Sequence, residues 1–391
     1  MEKWTTGKMS DLIEFNPKER ISKGENAKKI AMDKLKPFER DIEGYEIAQF
    51  KGGSKFRNGD TLLARITPCL ENGKTAQVNV LEDNEVGFGS TEFIVLRAKP
   101  GVSDKDYIYY LAISPLVREQ AIQSMVGSSG RQRVQQGVLN DLDICIHPLS
   151  EQIEIGRTLK VLDDKIAINT KINHHLEQMA KAIFKSWFVD FDPFGGTMPD
   201  GWRVGTLSDI ATITMGQSPT GSSYNEVGIG TVFYQGRAEF ASRFPTRRLF
   251  TTQPKRMADK SDILMSVRAP VGDLNVAYES CCLGRGLAGI QSNNGCQSFI
   301  LYTMFALKQQ LDMYNGEGTV FGSINKNDMA NLSVLIPSDV VIRQFEELIN
   351  PIDATIEANY AENCNLQAER DTLLPRLMSG ELSVSDIQAA K

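Results

Sequence analysis

Two long stretches of this chain place apolar residues in alternating steps of three and four, the spacing that lines one stripe of an α-helix. The first runs through Leu159, Leu162, Ile166, Asn169, Asn173, Leu176, Ala180, Ile183 and Trp187. The second runs through Ile342, Phe345, Ile349, Ile352, Ile356, Asn359, Asn363, Leu366, Arg370, Leu373 and Leu377. At a constant offset of 190 residues, Leu159, Leu162, Ile166, Asn169, Asn173 and Leu176 reappear as Ile349, Ile352, Ile356, Asn359, Asn363 and Leu366. The pattern predicts helices over 150–189 and 339–380. Ser150 after Pro148 suits the first cap, Pro375 kinks or breaks the second helix, and Gly380 ends it. At 1.5 Å per residue the first would reach about 60 Å, longer than one domain core requires. Matched stripes predict antiparallel pairing, with Asn169 opposite Asn363 and Asn173 opposite Asn359 as polar layers that set register. Ile155, Ile168, Ile172, Phe184 and Phe188 fall off the seam. They predict docking of a partner's helices, with packing on the chain's own modules as the alternative.

Before each stripe the pattern is one of short mixed elements, and these too occur twice. Strand-like pieces at 61–66 and 92–96 accompany a helical stretch over 104–124 carrying Ile108, Leu111, Ala112, Leu116 and Ile122 on one face. Trp4 to Asp11-Leu12 resembles Trp202 to Asp209-Ile210, and the stretch 59–66 resembles 260–268. Asp192-Pro193 and the glycines at 195, 196 and 201 mark a turn-rich connection. The division that follows is a module over 1–149, a long helix over 150–189, a linker over 190–201, a second module over 202–338, the second helix and a frayed tail over 381–391. The fold class is α+β: two similar domains of twisted β-sheet and helices, separated by two long antiparallel coiled-coil helices in a pseudo-two-fold arrangement. Such repetition suits a partner that itself repeats, and duplex DNA is one.

Composition narrows the function classes. The chain of 391 residues has a net charge of -6, which argues against non-specific coating of nucleic acid. Locally the sign reverses: between Arg237 and Arg268, eight basic residues face only Glu239, Asp259 and Asp262. Candidate DNA contacts are Lys51, Lys55, Arg57, Arg65, Lys74, Ser129, Arg131 and Arg133 in the first module. In the second they are Gln217, Ser218, Tyr224, Arg237, Arg247, Arg248, Lys255, Arg256, Arg268 and Arg285. Cations suit phosphates, and the loops around 127–133 and 216–225 carry the side chains that can reach base edges. No catalytic constellation emerges. Gly284-Arg285-Gly286-Leu287-Ala288-Gly289 spells a dinucleotide fingerprint but lacks a following amphipathic helix. Gly73-Lys74-Thr75 ends like a P-loop, with Pro68 where the first glycine belongs, and Asp192-Pro193-Phe194 only faintly resembles an amino-methyltransferase signature. Six cysteines without metal-ligand spacing, an opening Met1-Glu2-Lys3-Trp4 without a signal core, and no membrane-length apolar run predict a cytoplasmic protein with reduced thiols.

Several segments together resemble the specificity subunit of type I restriction–modification systems, and the resemblance covers essentially the whole chain. They are the stretch 59–74, Gly89-Ser90-Thr91-Glu92-Phe93, Met215-Gly216-Gln217-Ser218-Pro219, Val267-Arg268-Ala269-Pro270-Val271-Gly272 and Gly284-Arg285-Gly286-Leu287-Ala288. Ser186-Trp187-Phe188-Val189-Asp190-Phe191-Asp192 and Leu373-Leu374-Pro375-Arg376-Leu377-Met378-Ser379-Gly380-Glu381 close the two helices. The resemblance implies a non-catalytic subunit with two target-recognition domains reading halves of a bipartite double-stranded DNA site. It also implies two methyltransferase subunits using S-adenosylmethionine, and motor–nuclease subunits using ATP and magnesium, with no cofactor bound by this chain. A coiled-coil protein-interaction scaffold, or an orphan DNA-binding regulator, are the alternatives; steep weakening of DNA binding by salt and co-purification of a methyltransferase separate them.

Overall fold

A computed structural model describes residues 4–128, 130–316 and 322–389. The chain divides into two compact units, one made of Met1–Thr170 with Tyr360–Lys391 and the other of Lys171–Asn359. The division cuts each long helix in its middle, where the sequence pattern had suggested spacers distinct from the modules. The reason lies in burial: each helix half hides its stripe against its own module.

In the first unit, strand Thr5–Lys8 pairs antiparallel with Asp143–Ile146. A four-stranded sheet follows the order Ile13–Phe15, Phe93–Ala98, Thr61–Ala64, Thr75–Gln77. A second sheet has the order Glu46–Gln49, Asn26–Ile30, Gly87–Gly89, Lys55–Phe56, with its middle pair parallel. Thr61–Ala64 is buried at every position, so it has no polar face to alternate with. The helical stretch expected over 104–124 is two helices, Lys105–Ile113 and Pro115–Gln123. The residue before a proline avoids helical geometry, and Ser114 accordingly sits extended and caps the second helix. Its inner face also differs from the sequence reading: Tyr107, Tyr109 and Tyr110 are buried while Leu116 is exposed.

The second unit repeats this plan. Strand Arg203–Thr206 pairs with Ser333–Ile336. One sheet runs Ala211–Met215, Leu287–Ser292, Ile263–Ser266, Leu274–Val276, the same order and senses as its counterpart. The other contains a parallel pair between Thr231–Tyr234 and Cys281–Leu283, flanked by Phe250–Thr251 and Met257–Ala258, with Tyr224–Asn225 as an extra strand.

The central helix spans Leu149–Phe188 and the C-terminal helix Asp339–Ser379. Ser150 therefore lies inside the first turn and not at the cap. The C-terminal helix runs through Pro375 unbroken and stops at Gly380, whose φ of 74° is the left-handed turn that favours glycine. A Cβ there would also overlap the indole of Trp4.

In the first unit, Ile155 and Leu159 share a core with Leu374, Leu377, Met378 and Val384. The tail expected to fray forms the helix Val384–Ala389, with Leu382 and Ile387 against that core. In the second unit Phe184 and Phe188 are buried among Phe299, Phe345 and Trp202, with ring centroids 5.0–6.3 Å apart. Phe184, Phe188 and Ile155 thus serve the protein's own cores and are removed from the docking surface. An α-helix drifts about 20° per heptad against a strict 3.5 repeat, which carries the buried stripe from Ile183 and Trp187 onto their neighbours. Ile168 and Ile172 remain exposed. The linker is structured as well: Phe191 and Phe194 pack on Trp202 at 6.1 and 5.0 Å.

Candidate nucleic-acid interface

The paired helices bring the four asparagines together in two layers. Within the first unit Asn169 Nδ2 donates to Asn363 Oδ1 at 2.9 Å, and also to Glu362 at 2.7 Å. Within the second, Asn359 Nδ2 donates to Asn173 Oδ1 at 2.8 Å, while Asn173 donates to the Ile356 carbonyl at 3.0 Å. The opposition predicted from the offset is therefore the geometry found, antiparallel in each unit.

A second repeated device fixes module to helix, and the sequence pattern did not suggest it. Tyr110 donates its hydroxyl to Asp163 at 2.7 Å, and Tyr302 does the same to Asp353 at 2.9 Å. Asp163 also holds Arg370 at 2.7 Å, and Asp353 holds Arg243 at 2.6 Å. Burial dominates around both phenols and pushes them above their ordinary value, so they stay neutral donors. The aspartates stand 190 residues apart, the offset of the helical repeat, and that was the signal available.

The basic stretch of the second unit does not survive as an open patch. Arg237 pairs with Asp273, Arg247 with Glu279, Arg248 with Glu239, and Lys260 with Glu357. Arg243 is buried against Asp353. These acids, apart from Glu239, lie outside the sequence window and reach its cations only in the fold. Lys255, Arg256, Arg268 and Arg285 are exposed and carry no ion pair among the described residues. In the first unit Arg57 is held by Glu19 at 2.7 Å and Arg133 by Glu92 at 2.7 Å. Lys74 donates to the Met32 carbonyl at 3.0 Å and Lys55 to the Glu19 carbonyl at 2.9 Å. Arg65 has Glu92 only at 4.0 Å. Lys51 and Arg131 are exposed without an ion pair among the described residues. Ser129 lies outside the described residues.

In the 216–225 loop, Gln217 is exposed and Ser218 Oγ accepts from the backbone of Arg285 at 3.2 Å, joining that loop to the 284–286 turn. A Cβ on Gly216 would overlap the Gly284 carbonyl, so the close approach needs glycine. Tyr224 is a brace and not a presented group: its hydroxyl donates to the Pro219 carbonyl at 2.9 Å, and its ring lies 4.8 Å from Phe233. Strand register shows what the sequence comparison missed. Trp4 and Asp11 match Trp202 and Asp209 at an offset of 198, and the strands Ile13–Phe15 and Ala211–Met215 keep that offset. Lys18-Glu19-Arg20 therefore occupies the place of Gly216-Gln217-Ser218.

Among the described residues no cluster of His, Cys, Asp or Glu is placed to hold a metal ion, and no helix is long and apolar enough to cross a membrane. The turn at Gly284 to Gly286 joins two strands, so it does not open a dinucleotide helix.

The sequence matches the type I restriction modification DNA specificity domain over residues 1–178 and again over 199–362. It is 30% identical over 375 residues to the putative type I restriction enzyme MjaX specificity subunit of Methanocaldococcus jannaschii, covering 91% of this chain and 85% of that protein. It is 25% identical over 406 residues to the type I restriction enzyme HindI specificity subunit of Haemophilus influenzae, covering 83% and 87%. In fold it is similar to the crystal structure of the type I restriction–modification system S subunit from M. genitalium, with TM-score 0.54 at 16% identity and 96% of each chain covered. The duplicated modules, their matched helices and this full-length likeness place the chain in the type I restriction–modification DNA specificity family.

Proposed function

We propose that this chain is the DNA-specificity subunit of a type I restriction–modification complex, catalysing nothing itself and directing adenine methylation and restriction by its partners. Each unit reads one half of a bipartite site, and the paired helices set the spacing. The carrying observation is that one loop-bearing fold occurs twice along a chain matched by the specificity domain over both copies. Exposed Arg131, Arg268, Arg285, Gln217, Lys51, Lys255 and Arg256 are among the side chains available to DNA. Ile168 and Ile172 supply apolar surface for two methyltransferase subunits, which bring S-adenosylmethionine; motor–nuclease subunits bring ATP and magnesium.

The energetics suit this role. A unit alone reads few base pairs, whereas tethering makes the second engagement intramolecular, at effective concentrations up to roughly millimolar. Each mismatched base pair then costs roughly 1–3 kcal/mol. The test is methylation mapping of genomic DNA from cells with and without this chain. A bipartite methyladenine motif that disappears on deletion is expected; an unchanged methylome would overturn the reading.

A further inference from the structure

In the first unit the segment after Phe15 forms one wall of a cleft of about 700 Å3, faced by Gly53 to Lys55 and floored by Arg65, Thr91 and Phe93. Four cations line it: Lys18, Arg20, Lys55 and Arg65. The one carboxylate of that wall, Glu19, is turned inward with its side chain 6% exposed, held by Arg57 at 2.7 Å and Arg97 at 2.6 Å. Burial opposes its charge, but the hydrogen bonds from Arg57 and Arg97 prevail and hold it below the usual carboxylate range. It therefore stays ionised and is spent on those two arginines. Glu92, at 4.0 Å from Arg65, is already engaged by Arg133 at 2.7 Å. Arg65 Nε is buried without a hydrogen-bond partner. Lys18 and Arg20 are exposed and have no ion pair among the described residues. The cleft adjoins the loop bearing Arg131, since Thr67 N donates to the Gln132 carbonyl at 3.1 Å and Val134 N to the Arg65 carbonyl at 2.9 Å.

Concentrated positive charge without assigned carboxylates, beside a loop fit for base edges, is the chemistry of a sugar–phosphate clamp. We propose that this cleft holds adjacent backbone phosphates of duplex DNA, with Lys18 and Arg20 at the rim and Arg65 on the floor. This deepens the proposed function and rests on it. The matching positions of the second unit are the uncharged Gly216, Gln217 and Ser218, so this pair of rim cations belongs to the first unit and has no counterpart at that wall of the second.

The test measures affinity of the full chain for a fluorescein-labelled mixed-sequence 40-bp duplex across a salt series. The double variant Lys18→Ala with Arg20→Ala is compared with Arg157→Ala plus Lys171→Ala, which removes equal charge from the central helix. Each lost phosphate contact lowers the slope of log affinity against log salt by about 0.9. The expected result is a slope shallower by about 1.8 for the cleft variant, about half that for Arg20→Ala alone, an unchanged melting temperature, and no change of slope for the helix variant. Wild-type binding with an unaltered slope in the cleft variant overturns the clamp and leaves DNA reading intact. Equal slope losses in both double variants also overturn it, as a general charge effect. A wild-type chain that fails to bind the duplex at about 50 mM salt overturns the DNA reading and the clamp together.

Discussion

Asp163 shows how much one buried side chain can carry. It accepts from Tyr110 and holds Arg370, whose side chain is only 10% exposed. Removing one partner of a buried pair strands the other charge, at a cost of about 3–5 kcal/mol, reduced here because Arg370 keeps Asp371 at 2.9 Å. Asp163→Ala is therefore expected to lower the melting transition of the first unit steeply, whereas Tyr110→Phe, which loses one hydrogen bond to a carboxylate, costs less, about 1.5–3 kcal/mol; calorimetry on both variants checks the ranking, and equal small effects would refute it. His147 gives a second expectation. It is 1% exposed, with Nδ1 2.9 Å from the Tyr107 hydroxyl, and burial depresses its pKa. The unfolded chain then binds the proton first, so stability is full above the ordinary value near 6.5 and falls as pH drops from there toward the lower folded pKa. Thermal melts between about pH 7.5 and 5 should show this decline, and His147→Gln should flatten it. Neither residue was singled out in the sequence. Asp163 and Asp353 obey the helical repeat, but an aspartate beside an apolar seam reads as a solvated face until the tyrosine that reaches it is located.

Among the elements, the long helices were legible and the strands largely were not. A 40-residue helix repeats its stripe many times, so the period stands out. The strand-like stretches 61–66 and 92–96 are the strands Thr61–Ala64 and Phe93–Ala98, but strands such as Thr75–Gln77 and Cys281–Leu283 are three residues long and buried throughout, which leaves no alternation to read. The same long period misled at its ends, where strict heptads kept Ile183 and Trp187 on the seam while Phe184 and Phe188 turned inward. The asparagine layers offer the test of what the pairing is for. Changing Asn169, Asn173, Asn359 and Asn363 to Leu removes four polar groups from an apolar seam, one of which, Asn169 Oδ1, is buried without a partner. The variant should melt higher yet hold its register less firmly. Competition between DNA sites whose spacers differ by one base pair, about 34° of rotation and about 3.4 Å of advance, should then discriminate less. Undiminished discrimination would separate the asparagines from any measuring role.

For the whole molecule, charge counted along the chain and charge arranged in space diverge. The excess around 237–268 is largely cancelled by Asp273, Glu279, Asp353 and Glu357, so a linear window overstated it. What remains is a smaller set of exposed cations. Arg131→Ala and Arg268→Ala should each weaken DNA binding without lowering the melting temperature, because neither side chain has an ion pair within the described fold. Arg133→Ala should instead destabilise its loop, since it releases Glu92. A titration that finds wild-type affinity in the first two variants would remove those residues from the interface. The division of the chain has a consequence for its birth on the ribosome. The second unit is one uninterrupted segment, Lys171–Asn359, while the first takes Leu374, Leu377, Met378 and Val384 from downstream of it into its core. The module translated earliest is thus the last to be completed. A chain truncated just before Tyr360 and released from the ribosome should protect the later module from protease and leave the earlier one digestible.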